Sequence, residues 1–293
     1  MPKLEISEKN FVWLTQLIQE QAGIQIKENG VQMLQNRISK RVCELGVNSV
    51  EAYCEVIQKD QTGSEIATLI DAVTTNYTSF FRDPRQFEQL AEFFEERLNR
   101  SRLNVRVWSA ACSTGEELYS IAMVAQETAT KLCEPMSRFR LLGTDIANSV
   151  LLTAAKGQYR PSNLSGISEE RLERFTVPVS CANGGMASQM SDVLKRNVIL
   201  RRFNLCDSTW NIPDNIDAIF CRNVLLYFDV PTQKKILANA LEKLNDGGLL
   251  FLGASEPVRK LLPDMELVSP SVFRKARSKV SSHEVAPLQE SIR

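Results

Sequence analysis

The chain has 293 residues, 43% hydrophobic and 24% charged, which is enough apolar material for one large domain or two smaller ones. Its formal net charge is zero, so the overall balance gives no support to a nucleic-acid or membrane-surface binder, and no apolar run approaches the roughly 20 residues of a membrane span. Seven scattered cysteines without a CxxC pair argue against a disulfide framework or a zinc site, while a single histidine, His283, excludes a Ser/His/Asp triad or a multi-histidine metal site; the expectation is a cytoplasmic protein with reduced thiols and no signal peptide.

Residues 1–74 read as a small helical bundle. Ser7 stands at a cap position, and Phe11, Leu14, Leu17 and Ile18 follow at helical spacing. Val31, Leu34, Ile38, Val42 and Leu45 form a second apolar face, which Gly46 ends. Tyr53, Val56 and Ile57, then Ile66, Leu69, Ile70 and Val73, predict two more helices. Arg37, Lys40 and Arg41 fall outside the apolar face of the second helix. They suit an acidic partner or an ordinary solvated surface, and composition favours the latter.

Residues 74–84 read TTNYTSFFRDP. Such a stretch can close over a site, its aromatics excluding water and Arg82 gripping a carboxylate. It can equally be a linker whose phenylalanines plug a core and whose Arg82 pairs with Asp83. Pro84 opens a helix over Phe87 to Leu98, after which strands and helices alternate as in a parallel sheet. The predicted strands are 105–109, 138–143, 216–221 and 248–253, with helices from Glu116, Ala147 and Pro231 and an antiparallel ending at 266–268 and 272–274. From about 160 to 203 the rhythm breaks. A helix near 168–175, alternating Val177 and Val179, a Gly184-Gly185 turn and an extended run at 197–203 predict a small hairpin-containing insert. Residues 276–293 lack an apolar pattern and are expected to be a disordered tail or linker.

Ligand chemistry concentrates where strands end, because a doubly wound sheet binds ligands beyond the carboxyl ends of its strands. Residues 106–123, RVWSAACSTGEELYSIAM, join a buried strand, a turn of small residues and an acidic helix start. Glu116 and Glu117 at that start, with no phosphate-cradling lysine, indicate a neutral or cationic ligand; alternatively they only complement the helix dipole. Asp145 closes a strand where a carboxylate can accept both ribose hydroxyls or cap the helix opening at Ala147. No complete GxGxxG is present, which favours a single nucleoside-type cofactor over a dinucleotide. Arg222, Asn223 and Val224 follow another strand, with Tyr227 one turn on.

Four blocks, TTNYTSFFRDP at 74–84, RVWSAACSTGEELYSIAM at 106–123, GTDIANSVLLTAAKGQYR at 143–160 and FCRNVLLYFD at 220–229, together resemble the CheR family of chemotaxis receptor methyltransferases. The resemblance runs in order over roughly residues 1 to 275. It implies an α/β fold: a Rossmann-like S-adenosylmethionine-dependent methyltransferase domain (75–275, with linker 75–84 and a small antiparallel β insert at about 160–203) preceded by an all-α domain (1–74). It also implies methyl transfer from S-adenosylmethionine to glutamate carboxylates of chemoreceptors, releasing S-adenosylhomocysteine. By the same resemblance Asn76, Thr78, Arg82, Glu117, Asp145, Asn204, Leu205, Asn223 and Val224 contact the cofactor, Arg82 and Tyr227 lie nearest the transferred methyl, and Arg37, Lys40 and Arg41 face the acidic receptor helix.

Implied partners are the cytoplasmic helical region of a chemoreceptor and a receptor C-terminal peptide taken by the insert. A monomer with no metal, no nucleic acid and no membrane insertion is expected. Cys112 and Leu118 stand where relatives often have Ala and Pro, and Ala254-Ser255-Glu256-Pro257 replaces His-Ser-Glu-Asn, so no histidine role is available there. The non-enzymatic alternative is a catalytically weak, cofactor-binding scaffold or sensor.

Overall fold

The computed structural model describes residues 5–180, 185–254, 256 and 259–276. Four helices come first: α1 Glu8–Ala22, α2 Val31–Glu44, α3 Val50–Lys59 and α4 Ser64–Val73. The hydroxyls of Ser7 and Ser49 accept the N–H groups of Asn10 and Ala52, giving α1 and α3 first-turn partners that a helix cannot supply itself. The apolar faces meet in one core that includes Leu14, Ile18, Leu34, Ile38, Val42, Tyr53 and Leu69. Gly23 ends α1 at φ 70, and a Cβ there would lie 2.3 Å from Cys206 Sγ. Glycine is therefore required where the helical bundle approaches the rest of the chain.

After α5 (Pro84–Arg100) the remaining elements are β1 Val105–Ala110, α6 Glu116–Lys131, β2 Phe139–Asp145, α7 Asn148–Lys156, β3 Gln158–Tyr159, α8 Glu169–Phe175, β4 Thr176–Ser180 and β5 Met186–Met190. They are followed by α9 Asp192–Lys195, β6 Val198–Arg202, β7 Ile216–Cys221, α10 Val230–Lys243, β8 Leu244–Leu252, β9 Met265–Ser269 and β10 Val272–Lys275. Seven strands form the main sheet in the order β6-β2-β1-β7-β8-β10-β9, with β10 antiparallel to both its neighbours and the other pairs parallel. Alternate residues face opposite sides. Ala218 and Phe220 of β7 join the core with Phe94 and Ile121, whereas Ile219 and Cys221 join Trp108, Ile236 and Leu237.

Chain order reverses across the sheet between β1, which pairs with β2, and β7 on the other side of β1. A crevice opens at such a switch point. Strand β2 extends to Asp145, and α7 begins at Asn148 with Ala147 still extended. Strand β8 begins at Leu244 rather than Gly248, because Gly247 at φ 73 and a register shift opposite Ile216 to Ala218 carry it onward.

The insert contains its own three-stranded sheet in the order β3-β5-β4. The insert is expected to run to residue 203, but β6 (198–202) pairs in parallel with β2 and forms an edge of the main sheet. An extended run carries no local signal of which sheet it joins, and here pairing with β2 decides it. Gly184 of the expected glycine turn lies outside the described residues, as do 277–293 of the expected tail. Helix α8 fastens the insert to the linker: Arg171 forms a bidentate pair with Glu127 of α6 (2.8 and 2.8 Å), and its guanidinium lies 4.1 Å from the Phe81 ring centroid.

Candidate cofactor cleft

A cleft of about 350 Å³ opens beyond the carboxyl ends of β1, β2 and β7. It is lined by Asn76, Thr78, Arg82, Glu117, Asp145, Asn204, Leu205, Asn223, Val224 and Tyr227, so the topology brings every expected cofactor and methyl-proximal residue to one place. Arg37, Lys40 and Arg41 lie on α2, outside this lining.

Glu117 sits on the floor, at the first turn of α6. Its Oε1 accepts from Ser109 Oγ at 2.8 Å and its Oε2 from Arg222 Nη1 at 3.1 Å. Burial pushes the carboxyl above the usual glutamate range, and the nearby Arg222 and Arg82 charges oppose that rise. Glu116 is differently placed: it is buried, accepts from Thr114 Oγ1 at 2.6 Å, and is absent from the cleft lining. Successive residues on a helix point about 100° apart, so one glutamate of the pair reaches the ligand space.

Arg222 stands among the residues expected after a strand end, but its role appears only in the fold. Its side chain is 1% exposed, yet its Nη2 donates to the Arg82 carbonyl at 2.7 Å and pairs with the Asp83 carboxylate, while Nη1 reaches Glu117. One buried guanidinium thus ties the linker to the cleft floor. Its place directly after a buried strand was the available signal. The linker combines both sequence alternatives. Phe80 and Phe81 are buried in the core, but Asp83 is taken by Arg222, and Arg82 lines the cleft with its guanidinium 5.8 Å from the Tyr77 ring centroid.

Asp145 Oδ2 accepts from the Ser113 N–H at 2.9 Å and Oδ1 from the Ala147 N–H at 3.0 Å. Burial raises its pKa against these backbone bonds. Capping of α7 falls to Asp71 of the helical bundle, whose oxygens accept the N–H groups of Asn148 (2.8 Å) and Ser149 (2.9 Å). Asp145 thus holds the loop after β1 through Ser113 and the entry to α7 through Ala147, while it lines the cleft.

Backbone strain gathers at the site. Eight described non-glycine residues have positive φ; three of them, Ala111, Ser113 and Asn223, line the cleft, and two more, Phe81 and Asp83, flank the lining residue Arg82 in the chain. Such conformations persist only where surrounding bonds enforce them. Ser113 is held by Asp145 and by its Oγ donating to the Asn76 carbonyl at 2.9 Å. Next to Asn223, Leu225 donates to Glu256 Oε1 at 2.9 Å, and Gly253 donates to Oε2 at 2.7 Å. A buried carboxylate after β8 therefore holds the loop that carries Asn223, Val224 and Tyr227.

The helical bundle supplies the remaining wall through Ala22, Ile24, Ile26 and Met33. Gln25 N–H donates to the Tyr227 carbonyl at 2.9 Å, and Asn204 Nδ2 donates to the Gln21 carbonyl at 2.8 Å. On α2, Arg41 makes a bidentate pair with buried Glu65 (2.9 and 2.7 Å), Arg37 donates to the Thr74 carbonyl at 3.1 Å, and Lys40 is 86% exposed. Arg41 is thus bound within the bundle, while Arg37 and Lys40 remain on its surface.

A switch-point crevice with one carboxylate at its floor, another closing the second strand and no lysine-bearing phosphate loop suits a cationic nucleoside cofactor. The donor set fits S-adenosylmethionine: Glu117 offers a buried anion, and Asp145 presents carboxylate oxygens to the same cleft. The class defined is a Rossmann-like S-adenosylmethionine-dependent methyltransferase carrying an added all-α domain. Comparison with known proteins narrows the class. Residues 76–273 match the CheR methyltransferase SAM-binding domain and residues 9–74 the CheR methyltransferase all-alpha domain, so the chain belongs to the CheR methyltransferase family.

Among similar proteins, a chemotaxis protein methyltransferase of Salmonella typhimurium is 35% identical over 94% of this chain and 93% of its own length. That of Escherichia coli is 35% identical over 87% and 86% respectively. Chemotaxis protein methyltransferase 2 of Pseudomonas aeruginosa is 34% identical over 85% and 87%.

Proposed function

We propose that the protein is a chemoreceptor methyltransferase that esterifies glutamate side chains of receptor cytoplasmic helices during adaptation. The observation that carries the reading is the convergence of Arg82 and Tyr227 with Glu117 and Asp145 on one cleft. The names of the similar proteins above support the chemotaxis setting.

When bound, S-adenosylmethionine supplies an electrophilic methyl on a positively charged sulfur. Glu117 holds the amino-acid end of the cofactor, with Ser109 and Arg222 fixing its carboxylate; Asp145 accepts the ribose hydroxyls, and Asn204 and Leu205 flank the base. Asn76, Thr78, Asn223 and Val224 complete the enclosure. Arg82 and Tyr227 orient the substrate carboxylate so that one oxygen lies in line with the methyl. The bound cofactor would supply the methyl to that oxygen, a C–O bond replacing its C–S bond, while Arg82 and Tyr227 hold the carboxylate. No proton moves, because a protein glutamate is already ionised at neutral pH. The chain therefore needs no histidine base, and its contribution is orientation and partial exclusion of water.

Arg37 and Lys40 are the proposed contacts to the acidic receptor helix, with Arg41 placing α2 through Glu65. The proposed enzyme is a cytoplasmic monomer, and its insert binds a receptor C-terminal peptide. The test is transfer of labelled methyl from S-adenosylmethionine to a panel of receptor cytoplasmic fragments, with and without their C-terminal peptides. Label on a receptor fragment supports the reading, and its absence across the panel opposes it. Stronger labelling of tailed fragments supports the tether, whereas equal labelling removes it.

A further inference from the structure

The exposed residues that line the cleft are mixed: Gln25, Lys27, Asn29 and Thr75 are polar, and three others are large and apolar. Met33, Tyr77 and Leu226 are 38%, 79% and 50% exposed, and all three line the cleft. They come from separate parts of the chain: α2, the linker and the single helical turn Leu225–Tyr227. Tyr77 lies between Asn76 and Thr78, and Leu226 immediately precedes Tyr227. Single exposed apolar side chains are ordinary, but a group from three segments around one opening marks a contact surface. On α2 the rim continues into charge, since Met33, Arg37 and Lys40 at i, i+4 and i+7 share one helix face.

A protein substrate differs from a small molecule in one unavoidable respect. To bring a glutamate carboxylate to the methyl, the residues beside it must lie against the rim. We propose that Met33, Tyr77 and Leu226 dock apolar side chains flanking the target glutamate of the receptor helix, making the rim a determinant of which glutamates are modified. This rests on the receptor-glutamate reading above. The matched substrate surface has an apolar residue within one turn of the glutamate and acidic residues further along, opposite Arg37 and Lys40. These three side chains accept apolar neighbours, whereas a charged neighbour set against them would lose water without gaining a partner from them.

The experiment uses the full chain and a receptor cytoplasmic fragment, comparing wild type with Leu226→Ser and Met33→Ser. The expected result is a KM for the fragment raised about fivefold to tenfold in each variant, as for partial loss of one buried apolar contact. The rise in KM exceeds any change in kcat or in the S-adenosylmethionine Kd. A fragment whose flanking apolar residues are changed to Ser raises the wild-type KM similarly but adds little in the variants, the coupling of a direct contact. Transfer by wild type with unchanged variant KM overturns the rim assignment. A weakened cofactor Kd with an unchanged fragment KM also overturns it, making the rim a cover for the cofactor. No transfer to any receptor glutamate by wild type overturns the receptor reading and the rim proposal together.

Discussion

Replacing Asp145 with Asn separates a residue that holds the cofactor from one that only shapes a loop. The two carboxylate oxygens already accept backbone N–H groups, from Ser113 at 2.9 Å and Ala147 at 3.0 Å. An amide of the same shape has one oxygen, so its NH2 must face one of these donors. The unpaired buried N–H costs about 1–3 kcal/mol of stability, or roughly 2–4 °C in Tm per kcal/mol for a domain of this size. If Asp145 also accepts the ribose hydroxyls, the cofactor loses charge-assisted hydrogen bonds worth about 1.5–3 kcal/mol, weakening its Kd by about 10- to 150-fold. Scanning calorimetry of the free enzyme reads the first quantity, and titration calorimetry with S-adenosylmethionine, below the unfolding transition, reads the second. A lowered Tm with a Kd within about twofold of wild type would refute the ribose role and leave Asp145 as a loop anchor.

Asp71→Ala removes the acceptor for two first-turn N–H groups of α7; a loss of about 0.5–2 kcal/mol in denaturant unfolding is expected, with faster proteolysis between the bundle and the sheet. Unchanged stability would show that water replaces the cap. Arg82→Ala is expected to keep the fold, because Arg222 rather than Arg82 holds Asp83, while methyl transfer falls about 100-fold or more; wild-type turnover would make the linker purely structural. Burial raises the Glu117 pKa, so its anionic form is complete only above that raised value. Cofactor affinity should rise with pH through it and then level, with protons released on binding at lower pH. Glu117→Gln should remove part of that dependence, leaving the share of Asp145, whose pKa burial also raises. A wild-type affinity that does not rise with pH from the ordinary carboxylate range upward would contradict both assignments.

Periodicity made much of this fold legible, and its limits explain the rest. The apolar faces of α1 and α2 are visible because burial repeats every three or four residues. Strand β7, buried at all six positions, likewise reads as a central strand. The pair β3 and β5 had no such signal, since β3 has two residues and β5 mixes exposed and buried positions. The ten cleft residues converge because they follow strand ends or the linker, and sheet topology gathers those positions. Pairing choices were not legible. Asp71 caps a helix 77 residues ahead, Arg41 pairs with Glu65, and Arg222 rather than Arg82 takes Asp83. Each depends on folded proximity, which local spacing does not encode.

The proposed chemistry is methyl transfer to a carboxylate with no base from the chain. The most direct measurement is mass spectrometry of a receptor cytoplasmic fragment after incubation with the enzyme and S-adenosylmethionine, before and after mild alkali. The expected product carries one added methyl on glutamate side chains, removed by alkali as methanol and lost with Arg82→Ala. A methyl stable to alkali on lysine or arginine, or an unmodified fragment, would contradict it.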